Sequence, residues 1–124
     1  AERPIGLRDT IPVGTQLSMK AGSAAQVLIA WEDHHRLLEG LRQARFSATV
    51  LAAVRRRGWA QSVGERERGI ASVSAPVRNP AGKVIAAVSI SGPIERLSRQ
   101  PGRLHADVVC QAARQLSDAL RAQA

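Results

Sequence analysis

Apolar and polar positions alternate most regularly between Gly69 and Pro93, in the stretch GIASVSAPVRNPAGKVIAAVSISGP. Side chains alternate across a strand, so the stretch predicts two strands that share one apolar face and one face of small hydroxyls. The segment Asn79-Pro80-Ala81-Gly82 predicts the turn between them, because Pro and Gly supply the restricted and the positive φ. The pattern therefore predicts an antiparallel hairpin.

The register predicted for this hairpin pairs Arg78 with Lys83. It places Val77 opposite Val84, Ser72 opposite Ser89 and Ile70 opposite Ser91. Both strands then agree about which face is apolar, which supports the pairing. The apolar face carries Ala71, Val73, Ala75, Val77, Val84, Ala86, Val88 and Ile90, and the other face carries Ser72, Ser74, Ala87, Ser89 and Ser91.

Three helices are predicted before the hairpin. The Ala- and Leu-rich stretch 23–31 contains no helix breaker and predicts a buried helix. Asp33 is the expected N-cap of a second helix and Ser47 that of a third, which ends in three arginines with Gly58 as its left-handed C-cap residue. The inward-facing positions are expected to be Leu37, Leu38 and Leu41 in the second helix, and Val50, Leu51 and Val54 in the third.

The pattern elsewhere completes an α+β order of strand, three helices, strands and helix. Short strands are predicted at 7–11 and 16–19, and an edge strand at 59–62. A terminal helix is predicted from about Arg103 to Arg121. Its apolar residues recur every four positions and are expected to face the sheet: Leu104, Val108, Ala112, Leu116 and Leu120.

Composition limits the classes of protein to consider. A chain of 124 residues is expected to form one domain, and its apolar runs are too short to span a membrane. The single Cys110 and the absence of a signal-peptide pattern favour the cytoplasm. The formal net charge of +8 suggests that the chain binds nucleic acid. However, the arginines are dispersed and aromatic residues are scarce, so direct binding to DNA is not expected.

The face of small hydroxyls raises the main functional question. Serine is a poor choice for an exposed strand, and this face carries no charged residue before the turn. Three interpretations remain open: the face lines a pocket for a small polar molecule, it packs closely against a helix, or it meets solvent. The pocket is favoured, because neighbouring hydroxyls that donate and accept can hold a carboxylate or an amino acid.

Catalytic and metal sites are not expected. No G-x-S-x-G elbow or other nucleophile signature occurs. His34 and His35 point about 100° apart on a helix, so they cannot bind one metal ion together. His35 and Glu39 could share a metal ion, but they supply only two ligands. No cofactor is expected either. The start of the first helix at Gly22 and Ser23 is a further candidate, since free N–H groups at a helix N-terminus bind anions.

The segment GWAQSVGERERGIASVSAPVRNPAGKVIAAVSISGP, residues 58–93, resembles the most diagnostic block of the IclR family of bacterial transcription regulators. Upstream, VGTQLSMKAGSAAQVLIAW, residues 13–31, lies where that family has its first conserved block. The resemblance covers nearly the whole chain. Within the family the chain is most similar to the actinobacterial regulators of amino-acid metabolism of the NdgR type, through the segments MKAGS, RRRGWAQS, GERE and SISGPIERL.

The resemblance implies an effector-binding domain over 1–124, with a GAF-like antiparallel sheet, helices packed on it, and its opening strands missing. A winged helix-turn-helix that binds DNA would precede it in the full protein. The chain departs from the family at Ser62, often an acid there, and at Ser72, often Cys there. The family's ligand-contacting positions correspond to Ser23, Ala24, Ser62, Ser72, Ser89 and Ser91.

These observations predict a regulatory domain that binds a small-molecule effector, self-associates as a dimer or tetramer, and has no catalytic activity. The departures from the family's usual residues, Ser62 and Ser72 among them, weaken the expectation of the family's small keto-acid effectors. The resemblance to the NdgR type implies an amino acid or related carboxylate. The alternative is an assembly module that holds a dimer or tetramer together without any ligand.

Overall fold

The computed structural model describes residues 22–42, 44–65 and 68–123, and the strands predicted at 7–11 and 16–19 lie outside them. Three strands form an antiparallel sheet in the order β1-β2-β3, with helices on both faces, which confirms the predicted α+β fold. In chain order the elements are α1 (Ser23–Ala30), α2 (His34–Leu41), α3 (Ala48–Arg57), β1 (Ala60–Val63), β2 (Ile70–Arg78), β3 (Val84–Pro93), α4 (Ile94–Leu97) and α5 (Pro101–Gln123).

The sheet separates two hydrophobic clusters. On one face α1 and α3 pack together around Val27, Leu51 and Val54, none of which is exposed. On the other face α5 covers the apolar side chains of β2, among them Val73 and Ala75. The serines of β2 alternate with these residues and therefore point toward α1. The fold thus places α1 over the hydroxyl face and α5 over the apolar face.

The predicted helix ends are confirmed. The carboxylate of Asp33 accepts a hydrogen bond from the Arg36 N–H at 2.9 Å, and this bond lowers the pKa of Asp33. The Ser47 hydroxyl accepts one from the Val50 N–H at 3.2 Å. Gly58 follows α3 with a φ of 86°, a left-handed conformation that favours glycine.

Two helical positions expected to face inward are partly exposed. Leu38 in α2 is 49% exposed, whereas Leu37 and Leu41 pack against the α1–α3 cluster. Val50 in α3 is 37% exposed, whereas Leu51 on the same helix is fully buried. Each helix therefore presents a narrower apolar stripe to the core than its sequence predicts.

The predicted orientation of α5 is wrong for its three largest exposed residues, although Leu120 packs against the cluster on the sheet as predicted. Leu104, Val108 and Leu116 were expected against the sheet but are 61%, 57% and 51% exposed. The buried face consists of smaller residues, namely Gly102, Ala106, Val109, Ala113 and Ser117. Small side chains let the helix backbone approach β2 closely, so packing against the sheet selects them over the larger aliphatic residues.

The predicted register of the hairpin is also wrong, although its faces are mostly right. Ser72 lies opposite Ser91, and Ser74 lies opposite Ser89, a shift of two residues that leaves the serines on one face. The ladder is irregular between Val77 and Arg78. Because of this bulge Val84 turns from the apolar face to the α1 side, where it packs against the α1–α3 cluster.

Candidate functional site

A row of hydrogen-bonded serine hydroxyls crosses the sheet beneath α1. It runs through Ser62, Ser72, Ser23, Ser74 and Ser89 in that order. The four oxygen–oxygen distances are 2.8, 2.6, 2.6 and 2.6 Å. We call these five residues the serine row.

Strand pairing and the start of α1 bring the serine row together. Ser72 and Ser74 are two apart on β2 and so share a face. β1 sets Ser62 opposite Ser72, and β3 sets Ser89 opposite Ser74. Ser23, the first residue of α1, lies above β2 and bonds to both of its serines. The row therefore ties all three strands to one helix.

The serine row is closed in the middle and open at β3. Ser23, Ser72 and Ser74 are buried, and their hydroxyls are satisfied by one another. Here the face serves close packing of a helix, one of the three interpretations the sequence left open. Ser89 and its neighbour Ser91 are exposed on β3. Among the residues that the structure describes, this face is exposed at the β3 end, whereas Ser62 at the other end is buried but lines a cavity of about 300 Å³ with Gln26 and Glu65.

The start of α1 is occupied by a carboxylate from the chain itself. The Gly22 N–H donates to Glu65 Oε1 at 2.8 Å, and the Gln26 amide donates to Glu65 Oε2 at 3.3 Å. The same amide donates to the Gln61 carbonyl at 3.2 Å, while Gln26 Oε1 is buried without a hydrogen-bond partner. The anion site predicted at Gly22 and Ser23 is thus filled by Glu65.

Replacing Ser23 with alanine is expected to lower the free energy of unfolding by roughly 1–2 kcal/mol, because it removes two buried hydrogen bonds while Ser72 and Ser74 each keep one partner. Urea denaturation measures the change. Ser91→Ala, at an exposed position on the same face, is the control and should change stability by less than about 0.5 kcal/mol. Equal effects of the two substitutions would show that the row contributes nothing to stability.

Reactive groups are scarce in the part of the chain that the structure describes. No group of three or more His, Cys, Asp or Glu side chains that could hold a metal ion occurs there. Burial raises the pKa of the Cys110 thiol, which disfavours the nucleophilic thiolate at neutral pH. None of the helices in these ranges is long and apolar enough to cross a membrane.

Comparison with known proteins decides the family. Residues 2–118 match the family described as "Bacterial transcriptional regulator IclR C-terminal". The chain belongs to the IclR family. As a C-terminal domain of transcription regulators it is a regulatory domain and not an enzyme, in agreement with the sequence prediction.

Individual relatives of this IclR-type domain agree. It is 32% identical to the HTH-type transcriptional regulator BhcR of Paracoccus denitrificans, across 94% of this chain and 47% of BhcR. It is 32% identical to the glycerol operon regulatory protein of Streptomyces griseus, across 77% of this chain and 42% of that protein. The chain therefore spans less than half the length of these curated relatives.

A solved structure supports the fold. The C-terminal domain of the Escherichia coli transcriptional regulator KdgR superposes with a TM-score of 0.70 at 26% identity, covering 83% of this chain and 71% of that one. The similarity covers most of this chain, so the fold of this IclR-type domain is that of the family.

The six predicted ligand-contacting residues fall into two groups in this IclR-type domain. Ser23, Ser62, Ser72 and Ser89 belong to the serine row. Ser91 lies across from Ser72, and Ala24 lies half-buried in the first turn of α1. The structure thus brings four of the six into one hydrogen-bonded row and leaves the other two beside it.

Sequence reasoning missed three residues of this region. Ser74 lies on the predicted hydroxyl face, so its parity was a sufficient signal, yet it is absent from the predicted ligand set. Glu65 and Gln26 carried no such signal. Their contacts join segments 39 and 43 residues apart, which no local pattern predicts.

Proposed function

We propose that this domain senses a small polar metabolite, an amino acid or a related carboxylate, at the β3 end of the serine row. The main observation in support of this proposal is that a buried row of hydroxyls ends at the exposed Ser89, beside the exposed Ser91. A surface strand has no need of such a row. A ligand at this end would meet two hydroxyls on one face of a strand, with a third, Ser74, directly behind Ser89.

The chemistry of the row suits a small polar ligand that donates or accepts hydrogen bonds. Each serine donates one hydrogen and accepts others, and none carries a charge. The two serines would not neutralise the charge of a carboxylate bound to them. The site would therefore distinguish ligands by the geometry of their hydrogen bonds. The similarity to regulators of the NdgR type extends the proposal to amino acids or their biosynthetic intermediates.

The proposed mechanism is a shift between two arrangements of the domain. A ligand that binds one arrangement better changes its population, and an oligomer transmits this change to DNA-binding domains. Because the chain spans less than half of its relatives, we place a winged helix-turn-helix in the remainder of the full protein, with the whole protein in the cytoplasm. The domain's own partners are then the effector and further copies of itself.

Ser89→Val is expected to abolish effector binding, whereas Ser89→Thr should retain most of it, because valine and threonine differ only by the hydroxyl. Thermal shift against a panel of amino acids and keto acids identifies the ligand first. At a hundred times its dissociation constant, a ligand should stabilise the unsubstituted domain by about 2.7 kcal/mol.

Two results would count against the proposal. Equal binding by the valine and threonine variants would exclude the Ser89 hydroxyl as a ligand contact. No shift with any compound, combined with oligomers that form as concentration rises, would favour the assembly module. That second candidate is supported by the large aliphatic side chains that α5 leaves exposed.

A further inference from the structure

An open cavity of about 300 Å³ lies beside α3 and β1, and we call it the α3–β1 cavity. Val50 and Ala53 of α3 form an apolar wall, and Gln26, Arg57 and Glu65 line the cavity with polar groups. Sites for small molecules have volumes of about 300–1,000 Å³ and combine apolar walls with a few polar groups. The α3–β1 cavity therefore has the size and the lining of a site for a small metabolite.

The Gln26 side chain brings an unsatisfied acceptor to this cavity. Gln26 is 1% exposed, and its amide nitrogen donates to the Gln61 carbonyl at 3.2 Å and to Glu65 Oε2 at 3.3 Å. Because both partners are acceptors, the nitrogen must face them, and Oε1 is left buried without a partner among the described residues. Both bonds are long, so a small rotation of the amide would bring Oε1 to a donor inside the cavity. A ligand that carries an N–H group would satisfy this oxygen.

Glu65 adds an uncompensated negative charge. Its carboxylate accepts hydrogen bonds from the Gly22 N–H and from the Gln26 amide, which are both uncharged. The guanidinium of Arg45 bonds to the Glu65 carbonyl at 2.9 Å, and no side chain in the described ranges forms an ion pair with the carboxylate. An ammonium group in the cavity would therefore be the first cation to pair with Glu65.

Hydrogen-bond donors lie along the free edge of β1. Arg57 Nε donates to the Trp59 carbonyl at 2.9 Å, which holds the guanidinium at this edge. Partial burial lowers the pKa of Arg57, as expected for a cation without an anionic partner. The Gly64 N–H donates to the Ile70 carbonyl on β2, so by alternation the Gln61 N–H points away from β2. A carboxylate at this edge would meet one positive charge and a backbone donor.

We propose that the α3–β1 cavity is a second ligand site, which binds a free α-amino acid with a small aliphatic side chain. The ammonium group pairs with Glu65 and bonds to Gln26 Oε1. The carboxylate pairs with Arg57, and the side chain contacts Val50 and Ala53. A zwitterion fits this cavity because its lining includes one cation and one anion, and neither has an ion-pair partner in the part of the chain that the structure describes.

Isothermal titration calorimetry of the 124-residue chain with L-valine tests the ligand class. Two analogues separate the contacts: 2-methylpropylamine lacks the carboxylate, and 3-methylbutanoate lacks the ammonium group. Each is expected to bind roughly tenfold more weakly than L-valine or worse, because each leaves one charge of the cavity unpaired. The proposal is overturned if L-valine does not bind at millimolar concentrations, or if both analogues bind as tightly as L-valine.

Charge-neutral variants test the two ends of the site. Arg57→Gln and Glu65→Gln are each expected to weaken L-valine binding by roughly tenfold or more. Glu65→Gln keeps an oxygen that can accept from the Gly22 N–H, and circular dichroism verifies that each variant is folded. Arg56→Gln is the matched control, because Arg56 is the exposed neighbour of Arg57 on α3, and it should leave the dissociation constant unchanged. Equal effects of Arg57→Gln and Arg56→Gln would overturn the proposal.

Ser89→Val separates this site from the proposed effector site. The α3–β1 cavity lies at the Ser62 end of the serine row, and Ser89 is at the other end. The binding of L-valine that Arg57→Gln removes should therefore persist in Ser89→Val. If Ser89→Val removes all binding of L-valine and Arg57→Gln removes none, the amino acid binds at the β3 end. That result overturns the second site and supports the effector site, so the two proposals fail separately.

Discussion

Leu51→Ala is expected to lower the free energy of unfolding by about 2–5 kcal/mol, the usual cost of emptying a fully buried leucine site. Leu51 has no exposed surface and lies in the cluster that joins α1 to α3. Few neighbours can move into the space, because α1 is also held by the Arg55 guanidinium, which donates to the Ala30 carbonyl at 2.8 Å. Urea denaturation measures the loss.

Val50→Ala is the matched control for Leu51→Ala. Val50 precedes Leu51 on α3 but is partly exposed, so its truncation should cost much less, by about 0.5 kcal/mol or below. If both substitutions cost the same, the α1–α3 contact is not the core of this side of the sheet.

Gly102→Ala is expected to lower the free energy of unfolding by about 3 kcal/mol, at the upper end of the cost of overpacking. A Cβ at Gly102 would lie 2.2 Å and 2.3 Å from two ring carbons of Trp59, and 2.9 Å from Gln61 Oε1. The ring is rigid, so α5 must move away from β1. That movement would also stretch the hydrogen bond from the Gly102 N–H to Gln61 Oε1, now 2.9 Å.

Gly40→Ala provides the comparison, because Gly40 is also a helical glycine. A Cβ there would lie 3.3 Å from side-chain carbons of Ile29, which can yield by a few tenths of an ångström. Alanine in a helix otherwise stabilises by up to about 1 kcal/mol relative to glycine, so Gly40→Ala should be nearly neutral. Thermal unfolding of both variants measures the difference. A neutral Gly102→Ala would mean that α5 and Trp59 are not in close contact.

The features that the sequence predicts correctly are local. The caps at Asp33 and Ser47 and the left-handed Gly58 depend on a few neighbouring residues, and so does the turn that begins at Asn79. In the turn, the Gly82 N–H donates to the Asn79 carbonyl at 2.8 Å. Backbone preferences act over such short distances whatever the rest of the fold does.

The errors come from contacts between distant segments. Spacing by four residues selects the largest aliphatic side chains of α5, but the sheet accepts only the small ones. The hairpin pattern fixes which residues share a face, yet it reveals neither the turn, which sets Arg78 opposite Val84, nor the bulge beside it. Each shifts the register by one residue, and together they move the partner of Ser72 from Ser89 to Ser91. The periodicity of a single segment predicts neither how closely α5 approaches the sheet nor where the pairing of two strands becomes irregular.

In the candidate site too, the sequence predicts the local features but not the contacts between distant segments. Parity along β2 and β3 predicts that the serines share a face, and the structure agrees. It does not predict that Ser23 of α1 joins the serines of β2 into one row, because that contact spans 49 and 51 residues of sequence. The role of Glu65 at the start of α1 was hidden for the same reason.

The serine row has a direction. Five hydroxyls have five hydrogens, and the four hydrogen bonds of the row use four of them. Because Ser23, Ser72 and Ser74 are buried, the unused hydrogen belongs to a serine at one end of the row. If Ser89 points its hydrogen outward, every hydroxyl hydrogen in the row points toward β3, and Ser62 donates to Ser72. In the opposite state Ser62 accepts from Ser72 and holds the spare hydrogen. A carboxylate that docks at Ser89 selects the first state, so its arrival reorients protons on the far strand of the sheet without moving any heavy atom.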